Sequence, residues 1–150
     1  MKKYQAAIRD VEDAEGVVVV EPVNLYECTL KKNVFVGPFT EIQKGVVIGE
    51  NTRIQSHTFI CELVTVGADC FIGHGVMFVN DTFSTGGPAG NPEQWKPTAI
   101  GNRVSIGSNV TLLPVTVCDN VVIGAGSVVT KDITEPGVYA GNPAVKLREL

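Results

Sequence analysis

The sequence predicts an all-β fold, a parallel β-helix wound from six-residue units, and three observations predict it. A hydrophobic residue falls on every sixth position at Val18, Leu30, Val36, Ile42, Ile48, Ile54, Ile60, Val66, Ile72 and Phe78, with Asn24 the only polar interruption. The beat resumes at Ile100, Ile106 and Leu112, loses one residue, and continues at Val117, Ile123 and Val129. Four residues after most beats stands a small or β-branched residue, as at Cys28, Val34, Thr40, Thr52, Thr58, Cys70 and Val104. Directly after the beat glycine recurs, at Gly37, Gly49, Gly67, Gly73, Gly101, Gly107 and Gly124.

A period of six fits neither an amphipathic helix, which repeats near 3.6, nor a strand, which alternates by two; it requires short strands separated by regular corners. About three sides close a coil, so residues about eighteen apart stack on neighbouring coils at roughly 4.8 Å. The beat residue points inward, where each Val, Ile or Leu removes apolar surface worth about 1.5–3 kcal/mol from water. Small companions leave room in the narrow interior, and glycine at the corner adopts backbone angles that a β-carbon opposes.

Taken in order, residues 1–17 are polar and out of register and are expected to form an N-terminal cap or leading strand over the first coil. Residues 18–82 are coils. Residues 83–99, FSTGGPAGNPEQWKPTA, break the rhythm with prolines and glycines and carry Trp95, the single tryptophan; they read as an external loop. Coils return over 100–133. Residues 134–150 form a C-terminal cap, in which the stretch after Pro143 is expected to be a short helix.

Composition narrows the function. The 150 residues make one domain, and a net charge of -4 supplies no basic footprint for nucleic acid. No apolar stretch approaches membrane-spanning length, and the start, MKKYQAAIRDVEDAEG, has no hydrophobic signal core, so a cytoplasmic protein without a membrane partner is expected. Cys28 and Cys70 occupy small interior positions while Cys61 and Cys118 sit at corners; no metal-type spacing links them, and they read as reduced cysteines used as small hydrophobes.

The hexapeptide run, the external loop and the terminal string VVIGAGSVVTKDITEPGVYAGNPA resemble the left-handed β-helix acyltransferases, over about residues 18–146. The resemblance implies the left hand of the coil, acetyl-coenzyme A as acyl donor with no metal, and a homotrimer with a site between each pair of subunits. Relatives that acetylate hydroxyls carry a catalytic histidine near the external loop, because an alcohol needs a positioned base, worth about 10²–10⁴ in rate. This chain has only His57 and His74, and FVNDTF where such a histidine would stand.

An amine acceptor removes that demand. The strings IQSHTFICE, FIGHGVMFVND and LLPVTVCDNVVIGAGSVVTKD resemble the N-acetyltransferases of nucleotide-linked 3-amino sugars, especially dTDP-3-amino-3,6-dideoxyhexoses. That likeness implies Asn80 and Asp81 as the catalytic pair holding the amine, with Glu62 and His57 binding substrate. Glu62 and Asn80 are eighteen apart, so coil geometry independently stacks them. By the same resemblance Gly107, Ser108, Ala125 and Gly126 line the coenzyme groove, where a backbone N–H near Ser108 or Ala125 would polarise the thioester. Lys131 would meet a phosphate, and Pro143 and Lys146 would flank the adenine. The step LLPVTVC is one residue short of the family's pattern, which makes a tightened coil the expectation there.

Other readings stay open at this point: O-acetylation of a sugar alcohol with His57 as base, a UDP-linked amino sugar as substrate, a non-catalytic scaffold, and a zinc-dependent β-helix carbonic anhydrase, for which a third histidine is missing.

Overall fold

The computed structural model describes all 150 residues and is a parallel β-solenoid. Its strands form three sheets, of seven, six and eight strands, in which each strand lies beside the one from the next coil; the seven-stranded sheet counts about seven coils. The first sheet contains Phe59–Ile60 and Met77–Phe78, the second Val64–Val66 and Thr98–Ile100, and the third Phe71–Ile72 and Ser105–Ile106. Pairing steps of eighteen recur in all three, as in Phe59↔Met77, Thr65↔Val47 and Phe71↔Arg53.

One apolar core runs along the axis. Leu30, Val36, Ile42, Ile48, Ile54, Ile60, Ile72, Ile106 and Leu112 are sealed from solvent, with the small companions Val34, Val46, Val76, Val104 and Val110 between them. Where the companion is Thr or Ser, its hydroxyl donates to a backbone carbonyl of the corner: Thr40 to Gly37 at 2.8 Å, Thr52 to Gly67 at 2.8 Å and Ser127 to Gly124 at 2.6 Å. No buried side-chain polar atom lacks a partner, as the cost of leaving one unpaired demands. At Gly107 the neighbouring coil leaves no room for a side chain: a β-carbon there would come within 2.5 Å of the Ala125 nitrogen.

Two expectations are corrected. Where the first coil passes into the second, the inward residues are Val19 and Leu25, not Val18 and Asn24. Val19 pairs with Val36 and Leu25 with Ile42, while Val18 is 52% exposed. A seventeen-residue step is the reason: only five positions separate Leu25 from Leu30, so the polar interruption at Asn24 disappears once the phase moves by one. The other shortened step, Leu112 to Val117, is equally real, since Thr111 pairs with Val128 and Ala99 with Thr116, each seventeen apart. Both shortened corners join the first sheet to the second.

The second correction concerns the C-terminus. The residues after Pro143 form no helix: Gly137–Gly141 continues the third sheet beside Val121–Ile123, and Ala144–Arg148 turns back antiparallel against it. Val145 and Leu147 alternate with Lys146 and Arg148, a period of two that suits a strand. A single 3₁₀ turn, Pro92–Gln94, is the structure's one helical segment, and no helix is long and apolar enough to cross a membrane.

At the N-terminus, Ile8–Arg9, Glu12–Asp13 and Val18–Val19 pair with the second coil and so form a coil of their own. It leaves the end of the core open, with Asp13 at an inward position opposite Leu30. A charge facing inward on an edge discourages end-to-end pairing of such solenoids.

Candidate functional site

The candidate residues lie along two edges of the first sheet. On the edge toward the second sheet, pairing registers stack Lys44, Glu62 and Asn80 in one column, one coil above the next. The Asn80 side-chain amide donates to the Glu62 carbonyl at 3.3 Å, and the Glu62 backbone N–H donates to Gln43 Oε1 at 3.3 Å. Gln43 Nε2 in turn donates to one oxygen of Glu41 at 2.9 Å, and Asn24 Nδ2 to the other at 3.1 Å. A ladder of polar groups thus climbs from Asn24 through Glu41, Gln43 and Glu62 to Asn80. Burial first, then the Glu41 and Glu62 carboxylates, push the Tyr26 phenol up, so beside this ladder it stays a proton donor at neutral pH.

The external loop leaves and returns at Asn80 and Asp81. Asp81 accepts from the Phe83 N–H at 2.9 Å through one oxygen and from the Ala89 N–H at 2.7 Å through the other. The Asn80 carbonyl accepts from Lys96 N–H at 2.9 Å, and Thr98 N–H donates to the Leu63 carbonyl at 3.1 Å, re-entering the coil. The pair is therefore the hinge post of the loop, and Asp81 grips the loop's outgoing half with both oxygens.

The opposite edge, between the third and first sheets, holds a different column: Pro22, Phe39, His57, Gly75, Asn109 and Gly126, with Ser56, His74, Ser108 and Ala125 just before it. His57 lies here, its ring 4.9 Å from that of Phe39 and tilted by 33°. His74 Nδ1 is 2.9 Å from the Ser56 hydroxyl. Gly126 N–H donates to the Ser108 carbonyl at 2.8 Å, and Gly141 N–H donates to the Ser127 hydroxyl at 3.1 Å, which docks the hairpin turn containing Pro143 beside this corner.

Of the residues expected from sequence, Glu62, Asn80 and Asp81 lie together and His57 lies across the width of the sheet from them. Gly107, Ser108, Ala125 and Gly126 share the His57 edge. Lys131 stands exposed on the Asn80 edge, and Lys146 is held between Glu135 at 3.3 Å and Glu149 at 2.8 Å. Asn24 stood out in the sequence only as a break in the beat, and Glu41 and Gln43 not at all; spacings of seventeen and nineteen between these residues and their partners were the available signal. No group of three or more His, Cys, Asp or Glu side chains is arranged to hold a metal ion.

Comparison with known proteins agrees with this architecture. The family described as bacterial transferase hexapeptide (six repeats) matches residues 27–62, and that described as hexapeptide repeat of succinyl-transferase matches residues 97–131. Both coil segments of the chain thus carry transferase-type hexapeptide repeats. Galactoside O-acetyltransferase of Escherichia coli (strain K12) is 56% identical over 55 residues, covering 36% of this chain and 27% of that protein. A solved galactoside acetyltransferase in complex with coenzyme A superposes with a TM-score of 0.64 at 30% identity, over 94% of this hexapeptide-repeat chain and 65% of the other. A variant of perosamine N-acetyltransferase from Caulobacter crescentus, in complex with CoA and GDP-perosamine, superposes with a TM-score of 0.69 at 19% identity, over 96% and 58%. This chain spans less than two thirds of the length of each of these proteins.

Proposed function

We propose that this hexapeptide-repeat chain is an acetyl-coenzyme A-dependent N-acetyltransferase acting on the amine of a nucleotide-linked sugar, with a dTDP-linked 3-amino-3,6-dideoxyhexose as the specific substrate. The observation that carries the reading is the Glu62–Asn80 stack at the root of the loop, joined by Asp81 and free of any imidazole on that edge. The group is suited to gripping an amine and its neighbouring hydroxyls. It offers no imidazole to deprotonate an alcohol.

Glu62 and Asn80 would orient the sugar with its neutral amine toward the thioester. The lone pair forms the new N–C bond, the tetrahedral oxyanion collapses with loss of the C–S bond, and the ammonium proton passes to the departing thiolate or to water. A backbone N–H of the Ser108 or Ala125 corner would steady the oxyanion, where one such donor is worth about 10²–10³ in rate. Holding both substrates in one cleft supplies the proximity term.

The acceptor column and the Gly107–Gly126 corner lie on opposite edges of one triangular coil and face different directions. A single chain therefore cannot close them on one ligand, which supports a homotrimer in which the Asn80 edge of one copy meets the coenzyme edge of the next. Lys131, Pro143 and Lys146 are assigned to the coenzyme's phosphates and adenine.

The test is release of free thiol from acetyl-coenzyme A against a panel of dTDP-, UDP- and GDP-linked amino sugars. Turnover on a nucleotide-linked amine, lowered at least tenfold by Asn80→Ala and retained in His57→Ala, is the expected result. Turnover on plain sugar alcohols, abolished by His57→Ala and spared by Asn80→Ala, would establish O-acetylation instead.

A further inference from the structure

We propose that a pocket beside Phe39, two to three coils below the amine site, seats the heteroaromatic base of the carrier nucleotide, and that Lys44 meets its diphosphate. The inference rests on the nucleotide-sugar reading above and extends it to the half of the substrate that carries no reacting atom.

Phe39 and His57 occupy the corner position at which other coils place Gly75, Asn109 and Gly126. All five have positive φ, from 58° to 72°, a region glycine and asparagine enter readily and an aromatic residue does not. Strain of this kind is repaid when the side chain packs. Here it does not, since Phe39 is 59% exposed and its ring meets only the tilted imidazole of His57 among aromatic neighbours. Strained backbone that presents an exposed ring is a feature of ligand clamps.

Against that ring lies a cavity of about 330 Å³, walled by Ala6, Pro22, Asn24, Phe39 and Glu41. This is the lower end of the range for small-molecule sites, enough for a ring system and too little for a whole nucleotide sugar. Its apolar floor suits a planar π-face, and its polar wall pairs acceptor with donor: each Glu41 oxygen has a lone pair beyond the one its amide partner uses, and the Asn24 amide has a second N–H. Adjacent donor and acceptor groups on one edge are what a nucleobase presents.

The remainder of the carrier has a path. From Glu41 the polar ladder runs diagonally over the outer face of the first sheet to Asn80, two coils higher. A rise of about 10 Å and a sidestep of about three residues make roughly 14 Å, within the reach of a nucleoside diphosphate. Beside that path, in the coil of Glu41 and two coils directly below Asn80, stands the exposed ammonium of Lys44, 3.1 Å from Glu27. It is the cation able to exchange an exposed carboxylate partner for the diphosphate on a face otherwise lined by Glu41 and Glu62.

Calorimetric titration of the full chain with dTDP, UDP and GDP, each alone, and with inorganic pyrophosphate tests the proposal. At least one nucleotide binds more tightly than pyrophosphate. Phe39→Asn, which suits the positive φ, weakens that nucleotide about tenfold or more without lowering Tm, and changes pyrophosphate binding less than twofold. Lys44→Gln weakens nucleotide and pyrophosphate alike. In turnover, Phe39→Asn raises the KM for the nucleotide-linked amine by the same factor and leaves that for acetyl-coenzyme A within twofold. Phe39→Leu, which keeps the bulk and removes the ring, guards against a folding artefact. Wild-type nucleotide affinity in either variant, or no nucleotide binding better than pyrophosphate, overturns the base pocket. Failure of the amino-sugar reading looks different: nucleotides bind and depend on Phe39, yet no nucleotide-linked amine releases thiol.

Discussion

Asp81→Ala separates a loop anchor from a group that merely faces substrate. The substitution deletes both acceptors that hold the outgoing half of the loop, the bonds from Phe83 N–H at 2.9 Å and Ala89 N–H at 2.7 Å. Bonds to a charged group are worth about 1.5–3 kcal/mol when sealed from water. Asp81 is half-buried, so water replaces part of each, and about 1–2 kcal/mol for the pair is a reasonable net value. On the Boltzmann scale the open loop becomes about 5–30 times more populated. The same 1–2 kcal/mol comes off the global unfolding free energy, so Tm should fall by about 2–8 °C, less than a core truncation costs. Cleavage by chymotrypsin at Phe83 and by a glutamate-specific protease at Glu93 should accelerate by the same factor as the open population. Emission from Trp95, the single tryptophan and itself in the loop, should shift toward the solvent-exposed value, and turnover should fall at least tenfold. Cleavage rates within twofold of wild type, with Trp95 unchanged, would refute the anchoring argument and return Asp81 to a direct role on the amine.

Two further outcomes follow from charge and burial. The Asn102 backbone N–H at 2.8 Å and then its side-chain amide, helped by Arg103, hold the Asp119 carboxyl below its ordinary range. A lowered folded-state pKa stabilises the fold above the ordinary value of 3.8, and that contribution is lost as pH falls through the lower one. Asp119→Asn should therefore flatten the acid limb of stability below about pH 4, as urea midpoints measured from pH 7 to 2 would report; an unchanged acid limb would contradict it. Among the thiols, burial pushes Cys28 and Cys61 up to about 11 and raises Cys70 as well, and all three are enclosed. Iodoacetamide at pH 8 should label the half-exposed Cys118 first and slowly, the others only on unfolding, as peptide mass mapping would show; earlier labelling of Cys61 would be inconsistent with the core described.

Much was legible in the residues alone because a six-residue beat leaves few architectures able to bury it. The inward row from Leu30 to Phe78, the break at the loop and the shortened step before Val117 were each visible in one dimension. So was the Glu62–Asn80 stack, since eighteen residues make one coil. The phase at the end of the first coil was not: Val17, Val18, Val19 and Val20 are all apolar, and only pairing with Val36 selects Val19 as the inward one. The end of the chain misled for a related reason, because a proline followed by mixed apolar and basic residues suits a helix start or a hairpin return, and the free edge of the third sheet chooses the hairpin.

Sequence by itself determined the period, and through it the solenoid, its core and the columns in which residues stack, because local geometry repeats without reference to anything distant. Tertiary structure decided what the columns do. It put His57 and Asn80 on different edges, turned Asp81 from a lone carboxylate into a loop anchor, and joined Asn24, Glu41, Gln43 and Glu62 into one ladder. These depend on which way side chains lean across neighbouring coils, and a linear spacing specifies the neighbour without specifying the bond.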